Sequence, residues 1–195
     1  MPNFNPRNFS GVDGRPNGEF LVDTNQELYE SSDGKNHDDF ALRYSNAFDI
    51  WDIGLSYFKG TSREPILIPT NLTVGRLIAY YPQREQFSLD FQATIDSWLL
   101  KLEALKQIEM GEGINRFALG FEYTFYGIAD SFSDLGLVAE YIWDERKREA
   151  PNFFNDDVGI GLRLTVNDAS STSLLVGTIF DMDTLSSENF NCRVC

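Results

Sequence analysis

His37 is the chain's only histidine, and Ser31, Ser32 and Asp33 stand close before it. A serine and an imidazole within reach of each other can run nucleophilic hydrolysis, the ring taking the hydroxyl proton. These residues are close only in sequence, and a solvated loop histidine is the plainer reading. Asp144, Glu145 and Glu149, with Asp156 and Asp157 across the same predicted loop, carry the oxygen ligands that a divalent cation takes. They lack the spacing of a calcium loop, so a solvated acidic rim accounts for them and no metal ligand is assigned. Arg146-Lys147-Arg148 could pair with phosphate groups or serve as a plain charge run in the same loop. Cys192 and Cys195 make a CxxC pair, but a metal site needs two more ligands and no second cysteine pair exists.

A fourth set is spread along the whole chain. Arg43, Asp52, Asp90, Lys101, Glu103, Arg116, Glu122, Glu140 and Arg163 each lie within a stretch of alternating residues, on the face opposite the apolar ones. Period-two alternation is the signature of a strand, so the elements that must position these charges are strands. Phe40, Leu42 and Tyr44 begin the pattern, and Trp51, Ile53, Leu55 and Tyr57 continue it. Phe87, Leu89, Phe91, Ala93 and Ile95 form its cleanest segment. Three further segments are led by Phe117, Leu119 and Phe121, by Leu135 and Leu137, and by Ile160 and Leu162.

Residues Trp98 to Met110 fit a helical face as well as a strand, but strand neighbours and the turn-forming Asp96-Ser97 favour a strand. An eighth candidate, Ser173 to Asp181, alternates less well. Residues 1–37, rich in Asn, Gly, Pro and Ser, read as irregular, as does the tail from 182 to 195. Pro65, Pro69 and Pro82 argue against any continuous element between Gly60 and Arg84.

Composition narrows the function. Among 195 residues, 16 basic and 30 acidic side chains give a net charge of −14, which removes the electrostatic footprint for nucleic acid. Apolar runs are only a few residues long, far below the roughly 20 that a spanning helix needs. A membrane barrel survives both exclusions, because alternating strands average to a polar hydropathy. The start, Met1-Pro2-Asn3-Phe4, carries no charged-then-apolar leader pattern, as in a mature protein or an internal fragment.

Length and composition favour a barrel over a sandwich. The alternating stretches run to about 9–11 residues, the length that crosses a bilayer when tilted, whereas ordinary strands average about 5–6. In a barrel the apolar set, here Phe87, Leu89, Phe117, Leu119, Phe121, Leu135, Leu137, Ile160 and Leu162, faces lipid. The opposite set, charges of both signs mixed with glycines, then lines a watery lumen.

Aromatic residues fall near the predicted connections: Phe48, Trp51, Trp98, Phe125 and Tyr126 at one set, Tyr57, Tyr141 and Trp143 at the other. Two belts of this kind suit the two membrane interfaces. Connection lengths alternate too, with 46–49, 95–97, 127–133 and 167–171 short, and 60–84, 109–113 and 146–155 long. The alternation places 1–37 outside the cell, and the chain looks incomplete at both ends.

The segments from Trp51 to Phe58, Gly60 to Pro65, Gly120 to Gly127, Asp134 to Tyr141 and Asn155 to Leu164 resemble uncharacterised proteobacterial outer-membrane β-barrel proteins. The resemblance spans most of residues 38–181. It implies an all-β, antiparallel up-and-down transmembrane barrel, with about eight strands present of a larger one, working as a porin-like channel or transporter for small solutes. Outer-membrane lipid and lipopolysaccharide would be its surroundings, with Arg146-Lys147-Arg148 at the outer rim. The resemblance brings no catalytic motif, no cofactor and no assigned substrate. Two other readings remain, a soluble β-sandwich or small-barrel binding module, and an outer-membrane hydrolase working through His37.

Overall fold

The computed structural model describes residues 4–9, 21–71, 76–147, 154–170, 172–184 and 186–194. Its regular elements are strands: β1 (Leu21–Tyr29), β2 (Phe40–Phe48), β3 (Trp51–Thr61), β4 (Ile66–Asn71), β5 (Arg76–Tyr81) and β6 (Gln83–Ile95). They continue as β7 (Trp98–Glu109), β8 (Glu112–Phe125), β9 (Asp134–Asp144), β10 (Asp156–Thr165), β11 (Ser173–Asp181) and β12 (Ser187–Val194). Among the described residues no helix is long and apolar enough to cross a membrane.

Nine strands form one antiparallel sheet in the order β12-β11-β10-β9-β8-β7-β6-β3-β2, with β2 and β12 as its edges, so the sheet is not closed. Apart from the passage from β3 to β6, each strand lies beside its successor in the chain. The sheet is therefore an up-and-down meander. Strands β6, β7 and β8 run 13, 12 and 14 residues, about twice the length usual in globular domains. The ambiguous segment after Ser97 is a strand, as its neighbours required: a lone helix there would leave the edges of β6 and β8 without backbone partners.

Three expectations need correction. Residues 1–37 are not irregular throughout, because β1 pairs in parallel with β5, which in turn pairs with β4 in a second, three-stranded sheet. The tail is not irregular either, since β12 pairs with β11 from Ser173↔Val194 to Phe180↔Ser187. Its pattern is short: Phe190, Cys192 and Val194 alternate with Asn189, Asn191 and Arg193, only three apolar positions in an otherwise polar tail. The connection between β7 and β8 is tight, Met110 and Gly111 both holding positive φ (52° and 82°) as a two-residue primed turn requires. Gly60 to Arg84 behaves as its prolines demand, broken into short pieces. Pro69 sits in β4, an edge strand, where a missing N–H costs no ladder bond.

The chain divides into two compact units. Met1–Leu42, Tyr57–Gln86 and Gln107–Gly113 make the first, and Arg43–Ser56, Phe87–Lys106 and Ile114–Cys195 the second. The first has an aromatic core. Phe4 meets Tyr81 edge-on at 5.0 Å and Tyr29 at 5.9 Å, while Tyr29 stacks on Tyr81 at 5.3 Å. Tyr81 is fully buried, the Arg63 guanidinium lies 4.4 Å from the Phe4 ring, and the Arg7 amide donates to the Tyr81 hydroxyl.

In the second unit Ala93 is the one apolar residue that is fully buried among those described. Its apolar side chains instead align across strands. Leu119 stands opposite Tyr141, which stands opposite Val158 and then Phe180; Phe121 continues through Ala139 and Ile160 to Thr178. Leu119, Phe121, Ile160 and Leu162 remain between 36 and 53% exposed. Phe87 is exposed as well, while Leu89, Phe117, Leu135 and Leu137 are half-buried beside their neighbours in the same rows.

Candidate functional site

Small residues make room for charges on the second face of the sheet. Gly54 and Gly136 carry no Cβ, and a Cβ at either would collide with an ion pair. At Gly54 it would lie 2.8 Å from both the Arg43 Nη2 and the Asp90 Oδ2. At Gly136 it would lie 2.7 Å from the Glu122 Oε1. Arg43 bonds Asp90 at 2.8 Å across the first of these gaps, and Arg163 bonds Glu122 across the second. Each gap thus exists because the strand that crosses it has a glycine at that register position.

Five of the nine predicted lining residues, Arg43, Asp52, Asp90, Lys101 and Glu103, meet around one hollow of about 590 Å³. Ser45, Asn46 and Gln92 add neutral donors and acceptors to its wall. Asp90 and Glu103 also line a second hollow of about 350 Å³, where Arg116 and Asp144 join them. Glu122 and Arg163 form the pair over Gly136, and Glu140 lies further along the same face, opposite Gly120 and Gly159. The nine are therefore not one cluster but a series of neighbourhoods along one face.

The Arg43–Asp90 pair contributes little to stability. Arg43 and Asp90 are 58 and 43% exposed, and an ion pair in that much water is worth about 0–1 kcal/mol. What they do is fix charge in place. Carboxylates and guanidiniums held in known positions set the local electrostatic potential over this face.

The other chemistry-bearing groups are engaged in local structure. Ser31 and His37, expected to be close only in sequence, also meet in space: Ser31 Oγ is 2.9 Å from His37 Nδ1 and accepts the Asp33 amide N–H, so the two side chains tie a turn together. The Asp144 carboxylate accepts a two-pronged bond from Arg146, at 2.9 Å from Nε and 2.6 Å from Nη2. Glu145 accepts from the amide and side chain of Asn115, Asp156 from the Tyr141 hydroxyl, and Asp157 from the amides of Asn155 and Asp156. With each carboxylate already held by protein donors, no group of three among the described residues is arranged to hold a metal ion.

Arg146 turns back onto Asp144, and Lys147 reaches Asp183 at 3.6 Å, so two members of the predicted basic rim are paired within the protein. Arg148, Glu149 and Cys195 lie outside the described residues.

The aromatic groups at the strand ends also take up places. Trp51 packs on Phe91, and Trp98 packs on both Phe121 and Tyr123, beside the turns at 49–50 and 96–97. Phe117 stacks on Trp143 and meets Tyr141 edge-on near the opposite ends of β8 and β9. Sequence reasoning missed the seats beneath the charges. Their signal was present as glycine at positions on the charged face, but which ion pair each seats depends on cross-strand register.

No family model, no curated protein and no solved structure matches the chain. Its class is accordingly defined by its own features: an all-β chain with a long-stranded antiparallel meander, apolar on one face and charged over glycine seats on the other.

Proposed function

We propose that this chain belongs to a bacterial outer-membrane β-barrel protein, a porin-like channel or transporter for small solutes. The observation that carries the reading is the exposure of in-register apolar rows within the second unit, where Ala93 is the one fully buried apolar residue among those described. Such rows are unfavourable in water, at about 25 cal/mol per Å² of apolar surface, and at home in hydrocarbon. Strand lengths, aromatic residues near strand ends and a mixed-charge face with glycine seats support the same reading. Outer-membrane lipid and lipopolysaccharide would contact the apolar face, and small solutes the charged one.

In this reading the charged face works without covalent chemistry, and the protein is not an enzyme. Arg43, Lys101, Arg116 and Arg163 attract anionic groups; Asp52, Asp90, Glu103, Glu122 and Glu140 attract cations. Alternation of sign holds solutes weakly enough to leave again.

Planar-bilayer recordings of the full-length protein test this directly. A conducting pore is expected, and Lys101→Glu and Arg163→Glu should each shift its selectivity toward cations. Absence of a pore, together with a monodisperse monomer in detergent-free buffer, would overturn the reading in favour of a soluble β-sandwich or small-barrel binding module.

A further inference from the structure

The second face is not charged throughout. Over β9 to β12 it carries a hollow of about 290 Å³ walled by Val138, Ile142, Leu175 and Ile179. That volume is at the small end of ligand pockets, which run from about 300 to 1,000 Å³. Glycines open it. A Cβ at Gly159 would have nothing nearer than the Glu140 carbonyl at 3.9 Å and the Ile179 Cγ1 at 4.0 Å, so the floor there is clear. Phe190 leans over Gly177, its Cζ only 2.6 Å from where a Cβ would be, and helps line the hollow together with Phe154.

One charge at this hollow is uncommitted. Glu140 belongs to its lining and is exposed, with its stem packed over Gly120. Among the described residues it forms no ion pair, since Arg163, on the same face, is bonded to Glu122. The other carboxylate of the lining, Asp157, is occupied by the amides of Asn155 and Asp156. An apolar cavity with one available carboxylate complements an apolar body bearing one positive charge. The chain's net charge of −14 favours the same sign of ligand and disfavours a fatty-acid-like anion.

We propose that this hollow binds a small organic cation, an aryl- or alkyl-ammonium. Its apolar part lies over Gly159 between Leu175 and Ile179, and its ammonium group meets Glu140. The inference goes beyond the passage reading and does not require the sheet to conduct.

The test is calorimetric titration of the full-length protein in detergent with phenethylammonium, against neutral 2-phenylethanol and against tetramethylammonium. Phenethylammonium should bind saturably, 2-phenylethanol about fivefold more weakly, and tetramethylammonium not measurably; fivefold is what an ion pair of this exposure supplies. Glu140→Gln should weaken phenethylammonium about fivefold and leave 2-phenylethanol unchanged. Gly159→Leu should abolish both, filling the floor without the backbone collision that a Cβ at Gly161 would meet 3.1 Å from the Val176 carbonyl.

Equal affinity of the amine and the alcohol, or full binding by Gly159→Leu, would overturn the proposal, as would no saturable binding at all. Ile179→Phe fills the hollow from its wall and replaces Gly159→Leu if that variant lacks native strand content. Bilayer recordings on the same preparation separate the two claims. Conductance without amine binding removes this one, and amine binding without conductance removes the passage alone.

Discussion

Tyr81, Ala79 and Phe4 of the first unit are at most 5% exposed, whereas Leu119, Ile160 and Leu162 of the second stand between 45 and 53% exposed. The first unit does what a protein in water does: it packs three aromatic rings against one another and seals them with Arg63 and the Arg7 amide. The second unit buries glycines and carboxylates, such as Gly136, Glu122 and Asp144, and leaves Leu119, Leu162 and Leu174 exposed. Such exposure is unfavourable in water, and in the proposed reading hydrocarbon covers the apolar face. The comparison teaches that one chain can carry a sealed aromatic cluster and open apolar rows. The buried cluster tells the units apart, since Phe40 and Leu42 of the first unit are exposed apolar side chains too.

Truncation should separate the two units most sharply. Tyr81→Ala empties the aromatic cluster and should cost the first unit about 3–5 kcal/mol, in line with large-to-small aromatic changes in cores. Leu119→Ala should cost well under half of that in detergent, because about half of the side chain has no protein to lose. Hydrogen exchange of the β5 and β8 amides reads the two effects separately; comparable losses at both sites would remove the distinction.

Filling a glycine seat comes next. Gly136→Leu forces the Glu122 carboxylate away from Arg163 and should destabilise by about 1–3 kcal/mol, the usual range for overpacking. Thermal melts in detergent check it, and an unchanged melt would mean that the seat is not needed.

Two smaller changes sharpen the picture. Met110 holds a positive φ that suits asparagine better, so Met110→Asn should stabilise by about 0.5–1 kcal/mol in chemical denaturation. Arg43→Met breaks the pair with Asp90 and should shift stability by less than about 1 kcal/mol while altering ion selectivity. Stability loss far above that would show that the pair is structural.

Alkaline pH should loosen the aromatic cluster of the first unit. Burial, and then the hydrogen bond to Glu27, hold the Tyr29 hydroxyl well above the ordinary tyrosine value of 10.0. Burial raises Tyr81 as well, against an opposing bond from the Arg7 amide. A raised value in the folded state means that this stability is complete below pH 10 and is lost as pH rises through the folded values. At neutral pH no change is expected. Tyrosinate absorbance should lag behind that of free tyrosine for these two residues and then appear together with loosening of the β1-β5-β4 sheet. Tyrosinate formation without loosening would show that the rings ionise in place.

Most of the meander was legible because alternation is a local property. Phe87 to Ile95 and Phe117 to Phe125 state their strands residue by residue, and the faces of all nine predicted lining residues follow from parity. The parallel strand β1 was not legible. Val22, Thr24 and Gln26 on one side and Asp23, Asn25 and Glu27 on the other give no apolar period, and its pairing with Arg76–Tyr81 bridges a long stretch of chain with a register shift. Strand β12 was hidden differently, its alternation of Phe190, Cys192 and Val194 being too short to stand out in a polar tail.

By itself, then, the sequence determined which residues share a face, because side chains alternate along any extended strand whatever lies beside it. Only the tertiary structure decided that Arg43 meets Asp90 above Gly54 and that Glu122 meets Arg163 above Gly136. It also decided that Gly159, Leu175 and Ile179 enclose a hollow beside Glu140. Those meetings depend on cross-strand register, and a slip of one residue would turn every one of these side chains to the opposite face.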